Sequence, residues 1–232
     1  LDASGNGYDA TNNGAGADTG IFDGALTFDG NNDYIALPYS YSTTNLQEVS
    51  SCAWIKTTNS GGSYSNNWTI VDFDRSEYYN YYANPQTGTI GFSTLGGGAI
   101  DDFNGNVVVN DGEWHHICVV FDHDATYDKK IYVDGELDTQ KDGHSGTTAI
   151  GKGTTRFGFI GDGSESSSFD SSRNNIYYDG EMDEVAVWHR VLAADEIKNM
   201  YERGAGLLNL SVRACEDVSC SSASFVLTNS TS

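Results

Sequence analysis

The chain is poor in positive charge. Its 232 residues hold 12 Lys+Arg against 33 Asp+Glu, a formal net charge of -21. Binding to phosphate backbones or anionic lipid relies on clustered Lys and Arg, so nucleic acid and direct membrane binding are excluded as partners. Proline is also scarce, with 2 residues, and no window approaches ~18 consecutive apolar residues, the length of a membrane-spanning helix. The opening Leu1-Asp2-Ala3-Ser4-Gly5 has no basic segment followed by an apolar one, so the chain reads as one piece of a larger multidomain protein. The cysteines and histidines lack zinc-site spacing. A Gly-x-Ser-x-Gly elbow is absent, and Gly161-Asp162-Gly163 lacks the flanking strand and helix of a phosphate loop.

What the chain has is short alternation. Apolar residues, including 14 Tyr, 10 Phe and 4 Trp, come in brief runs between clusters such as Asp29-Gly30-Asn31-Asn32-Asp33 and Gly96-Gly97-Gly98. This predicts an all-β fold, a two-sheet antiparallel jelly-roll β-sandwich. Strands are expected at 26–28, 33–37, 51–57, 68–74, 78–82, 89–94, 106–109, 114–122, 130–133, 155–160 and 182–188, after an irregular, ordered meander over 1–24. One short C-terminal helix is expected from Leu192 to Arg203. Ile197, Met200 and Tyr201 fall at helical spacing there, and Gly204 is read as its left-handed cap. The pattern changes after Gly206, dividing the chain into a sandwich over 1–206 and an extra strand and loop over 207–232.

Four cysteines, Cys52, Cys118, Cys215 and Cys220, make an even number that suggests disulfides and export. Cys215 and Cys220 are close enough to close a short loop. The acceptor triplets at Asn67, Asn209 and Asn229 agree with an extracellular, secreted or cell-surface location.

Several stretches, taken in order, resemble a laminin G-like domain of the concanavalin A-like lectin/glucanase superfamily. They are Ser4-Gly5-Asn6-Gly7, Ala25-Leu26-Thr27-Phe28-Asp29-Gly30-Asn31-Asn32-Asp33-Tyr34-Ile35, Ala53-Trp54-Ile55-Lys56-Thr57, Gly112-Glu113-Trp114-His115-His116-Ile117, Ile131-Tyr132-Val133-Asp134-Gly135, Gly180 to Trp188 and Ala194-Asp195-Glu196-Ile197. The family's helix usually opens on Ser where this chain has Ala193, so the capping box is expected to be lost. Cys52 before Ala53-Trp54, and His116-Ile117-Cys118, resemble the pentraxins, which implies a Cys52–Cys118 disulfide.

The resemblance also implies a structural Ca²⁺ held by Asp2, the Gly30 carbonyl and Asp183, since calcium takes six to eight hard oxygens. Asp162, Glu165 and Asp170 match, more loosely, an acidic loop that ligates calcium in pentraxins. Laminarinase-like relatives hydrolyse glycans with carboxylates on one strand. Glu181-Met182-Asp183-Glu184 misses the alternation that would line them on one face, so no catalytic residue is assigned.

A third group mixes rings with hydrogen-bonding side chains, as sugars require: Trp68, Asp72, Asp74, Arg75, Tyr79 and Tyr81. Alternation turns Val71 and Phe73 to the core and Asp72 and Asp74 to the opposite face. The expected function is a calcium-stabilised carbohydrate-binding, lectin-like module for a glycan or glycoprotein. The alternatives are a protein-binding adhesion domain and, less favoured, a glycoside hydrolase or lyase.

Overall fold

The computed structural model describes residues 2–60, 68–143, 149–208, 212–214 and 224–226. In chain order the strands are β1 Thr11–Asn13, β2 Gly16–Asp18, β3 Ala25–Asp29, β4 Tyr34–Tyr41, β5 Glu48–Lys56, β6 Trp68–Asp72, β7 Tyr79–Ala83, β8 Thr89–Gly96 and β9 Ala99–Val108. There follow β10 His115–Asp122, β11 Lys129–Val133, β12 Glu136–Lys141, β13 Arg156–Ile160, β14 Asp179–Trp188, the helix α1 Ala194–Leu208, and β15 Val212–Ala214 with β16 Ser224–Val226. Two seven-stranded antiparallel sheets result. The first runs β1-β4-β13-β6-β7-β8-β9, the second β12-β11-β10-β5-β14-β3-β2, and β15 pairs separately with β16.

The core lies between the sheets because alternation turns one set of each strand's side chains inward. Ala53 and Ile55 of β5, Val71 of β6, Tyr79 and Tyr81 of β7, Phe92 of β8 and Val119 and Phe121 of β10 are all buried in it. Proline, poorly tolerated in a ladder, is placed where the ladder slips. Pro38 falls in β4 between Ala36 and Ser40, and the β13 register shifts between their partners Phe159 and Phe157. This lets β4 run on to Tyr41, beyond the expected end at Leu37.

The opposite parity of β5 and β10 faces the helix. Cys52, Cys118, Val120 and Tyr132 form a second apolar cluster with Leu192 and Ile197. Within it Cys52 is bonded to Cys118, its direct cross-strand partner. Closing a loop over a sequence separation of 66 stabilises the fold by about 4 kcal/mol, through the unfolded chain. Cys215 and Cys220 lie outside the described residues.

Two expectations are corrected. The meander over 1–24 contains β1 and β2, which pair with the edges of β4 and β3. The helix does not stop at Gly204 but runs to Leu208, across the expected boundary at 206. Gly204 is a packing residue. A Cβ there would lie 2.3 Å from the Trp54 ring, whose indole also stacks on Tyr201. The helix start keeps half a capping box: the Ala193 N–H donates to Glu196 Oε2 at 2.9 Å, and Arg190 clasps the same carboxylate.

One flank of the sandwich is closed by a buried cation. Lys129 of β11 is fully buried and reaches across to the first sheet. There Nζ donates to the carbonyls of Phe92 and Asp101, at 2.9 and 2.7 Å, and to the Asp101 carboxylate. Burial pulls its pKa down to about 8 against the pull of Asp101.

Candidate ligand-binding face

Strand register assembles one polar row on the outer face of the first sheet. Phe159 pairs with Asp72, Asp72 with Asn80, Asn80 with Ser93, and Ser93 with Asp102. Directly paired residues share a face, so these side chains stand side by side across β13, β6, β7, β8 and β9. From Asp72 to Asp102 the row crosses three strand spacings, about 14 Å. A second row beside it carries Thr69, Tyr82, Gly91 and Asn104. Gly91 is required there because the Tyr82 ring lies over it, 2.3 Å from where a Cβ would stand.

The row is linked by hydrogen bonds. Asn80 Nδ2 donates to Asp72 Oδ2 at 3.1 Å, and Ser93 Oγ donates to Asp102 Oδ1 at 2.6 Å. Arg75 Nη1 reaches the same Asp102 carboxylate at 3.3 Å, both side chains being about half exposed. Among the described residues, two buried atoms on this face have no partner, Asn80 Oδ1 and Thr69 Oγ1. Burial raises the Asp72 pKa to about 8, opposed by the Asn80 amide and reinforced by the charge of Asp74, so Asp72 is protonated at neutral pH. The outward-facing edge of the site is therefore Arg75, Asp102 and Asn104, with a neutral, hydrogen-bonded floor behind them.

The predicted ligand residues separate on this frame. Asp72 lies on the outer face as expected, though buried beneath the 161–178 segment, whose Ser164 N–H it accepts. Asp74 lies past the end of β6 in a turn at φ 66°, where Arg156 Nε holds it at 2.6 Å. Tyr79 and Tyr81 are corrected: both are fully buried core residues with no ring face available to a sugar. Trp68 opens β6 opposite Ala83, and its side chain lies outside the described part. Ser93 and Asp102 were missed by sequence reasoning. Only the β7–β8–β9 register brings them beside Asn80.

The loop acids do not converge on a metal either. Asp162 is buried, its Oδ1 accepting the backbone N–H of Gly163 and Ile176, with Arg173 3.6 Å from Oδ2. Asp170 accepts the Tyr34 hydroxyl at 3.0 Å, and Arg173 lies over the Tyr34 ring. Glu165 is exposed. Asp170 thus pins the segment to β4, while Asp162 ties the segment to itself.

The implied calcium set does not fit one site. Asp2 accepts the N–H groups of Ser4, Asn6 and Tyr8. Gly30 follows Asp29, the partner of Asp179, and donates to the Tyr178 carbonyl. Asp183 is four residues further along β14, about 13 Å at the strand rise, and its oxygens accept the N–H groups of Phe22 and Glu184. Among the described residues one group of three soft or acidic ligand atoms gathers, Cys52, His116 and Cys118, and its two sulfurs are bonded to each other.

The glycan-hydrolase arrangement is not formed by 181–184. Glu181 pairs with Lys56 at 3.2 Å, Asp183 accepts two backbone N–H groups, and Glu184 sits at φ 51° in a β-bulge.

Comparison with known proteins agrees with this architecture. The family described as the concanavalin A-like lectin/glucanases superfamily matches residues 29–198. No curated protein matches. Among solved structures, the binding domain of Paraclostridial Mosquitocidal Protein 1 superimposes with a TM-score of 0.64 at 14% identity, over 87% of this chain and 48% of that one. The botulinum neurotoxin serotype D ligand binding domain, in complex with N-acetylneuraminic acid, gives 0.63 at 14% identity, over 87% and 47%. A botulinum neurotoxin type C structure, described by that toxin's dependence on two ganglioside molecules for cell entry, gives 0.61 at 12%, over 88% and 48%. The chain thus spans about half the length of these structures, and at such identities the likeness concerns the fold.

Proposed function

Since the chain belongs to the concanavalin A-like lectin/glucanases superfamily, we propose that it is a non-enzymatic, carbohydrate-binding module of an exported multidomain protein. The observation that carries this reading is the polar row from Asp72 to Asp102. A sugar presents a belt of hydroxyls that both donate and accept, and it is held best by amide, carboxylate and guanidinium groups fixed in advance. The row offers these. Arg75 supplies donors, Asp102 acceptors and Asn104 both, while Ser93 and Asn80 hold the floor. The rigid sheet holds Asp102 and Asn104 more tightly than a loop would, and Arg75, in the turn after β6, is held against Asp102.

Two of the similar solved structures are described with sugar ligands, N-acetylneuraminic acid and gangliosides, which supports a glycan as the class of partner. The glycan's identity is a matter for experiment. Calcium has no part in this reading, because the residues implied as its ligands lie apart. Export is supported by the Cys52–Cys118 disulfide, which persists in oxidising compartments.

The test is a glycan array probed with the intact chain and with Arg75→Ala, Asp102→Ala and, as a control in the exposed bend before β10, Glu113→Ala. The expected result is a restricted set of bound glycans, weakened at least about tenfold by the first two changes and unaltered by the third, as loss of a charge-assisted contact implies. An array without hits, or hits indifferent to Arg75 and Asp102, sinks the proposal.

A further inference from the structure

The main core is covered unevenly. On the flank opposite Lys129, between β1, β4 and β13 of the first sheet and β3 and β14 of the second, several core side chains are only half buried: Leu26, Leu37, Ile160, Val185 and Val187. A cavity of about 290 Å³ opens between the sheets there. Its floor is apolar, with Phe28, Ile35 and Met182 buried, while Ala10, Asn12, Gly24 and Glu184 form an exposed mouth. For scale, an apolar protein cavity of roughly 150 Å³ admits benzene, so this one has room for a bicyclic ring.

The mouth is acidic and strained. The β-bulge between Asp183 and Ala186 leaves Glu184 outside the β5 ladder at φ 51°, a backbone conformation that a non-glycine residue holds only where its surroundings impose it. The charged groups facing Glu184 are Asp183 and Asp23, both acidic, and Arg203 from α1. Three carboxyl groups thus stand against one guanidinium. Burial, with the Asp183 charge adding to it, raises the Glu184 pKa against Arg203, so its carboxylate is one that a bound cation would favour.

We propose that this flank is a second binding site, for a small organic cation whose apolar, ring-sized body enters between the sheets and whose ammonium group meets Glu184. The site is separate from the polar row, which lies on the other face of the first sheet. An apolar floor supplies burial, and a carboxylate at the rim fixes orientation, the usual division of labour in a small-molecule site. An anionic analogue of the same shape is rejected by the same carboxylates.

The chain contains two methionines, which makes the test direct. Met182 lies in the cavity floor, and Met200, on α1, packs against the second apolar cluster. With methyl-labelled methionine, titration of tryptamine should move the Met182 signal in a saturable way and leave Met200 in place. Indole-3-propionate should move neither. Glu184→Gln, an exposed change, should weaken tryptamine about tenfold, and Val185→Phe, which fills a half-exposed wall, should block it. Circular dichroism confirms that both variants are folded. The proposal is overturned by a Met182 signal unmoved at millimolar tryptamine, by joint movement of both methionines, by equal binding of the acid, or by binding unaffected in a folded Val185→Phe.

Discussion

Asp72 is the residue on which the candidate face turns. Its folded pKa of about 8 lies far above the 3.8 of an ordinary aspartate, because it is fully buried. Between those two values the folded chain holds a proton that the unfolded chain has released, so this group's contribution to stability falls as pH rises from about 4 to 8. The Asn80 amide Nδ2 donates to this carboxyl, while Asn80 Oδ1 has no partner among the described residues. Asp72→Asn removes the titration. Its denaturation midpoint should decline less than the wild type's between pH 5 and 8, with a gain on the order of 1 kcal/mol at pH 8. Parallel urea curves with identical pH slopes would show that Asp72 does not titrate in this range.

At the scale of elements, α1 shows how one position sets a helix end and another its packing. Ala193 lacks the hydroxyl that would accept an N–H in the first turn, although Glu196 already supplies the returning half of the box. Ala193→Ser should therefore stabilise the protein by about 1 kcal/mol in chemical denaturation, and no gain would mean that the end is satisfied otherwise. Gly204 acts in the opposite direction. In a free helix Ala beats Gly by ~1 kcal/mol, yet a methyl here meets Trp54, so Gly204→Ala should lower the melting temperature. A rise in melting temperature would show that the indole can move aside.

The same elements show what could be read from the chain. Apolar runs such as 51–57 and 114–122 announced β5 and β10, because a central strand covered on both faces carries apolar side chains on both parities. Thr11–Asn13 and Gly16–Asp18 carry almost no apolar side chains and form strands only because β4 and β3 offer free edges. Gly204 looked like a cap because a glycine after a helical run usually is one, and only the nearness of Trp54 gives it another role. In the candidate site, parity placed Asp72 correctly. Tyr79 and Tyr81 could not be assigned a face, since rings occupy both parities of Tyr78–Tyr82. Asp102 became visible only through the register of the β8–β9 hairpin.

Across the whole molecule, the charge of -21 acts as a diffuse repulsion. Most cations are already paired, among them Lys56, Arg75, Lys129, Arg156 and Arg190, so much of the excess acid is left without counter-charge. Raising ionic strength from 0.01 to 0.15 M shortens the screening length from roughly 30 to 8 Å. The melting temperature should rise over that range by a few degrees, as relief of self-repulsion demands. A fall would mean that the surface ion pairs outweigh the repulsion.

In the proposed function a glycan lies along the outer face of the first sheet. The most direct measurement is a crystal structure of the chain with the strongest glycan from the array. Sugar rings are expected across β7, β8 and β9, hydrogen-bonded to Arg75, Asp102 and Asn104. A glycan seated instead on the second sheet, on the helix side or at the flank beside Glu184 would contradict that placement.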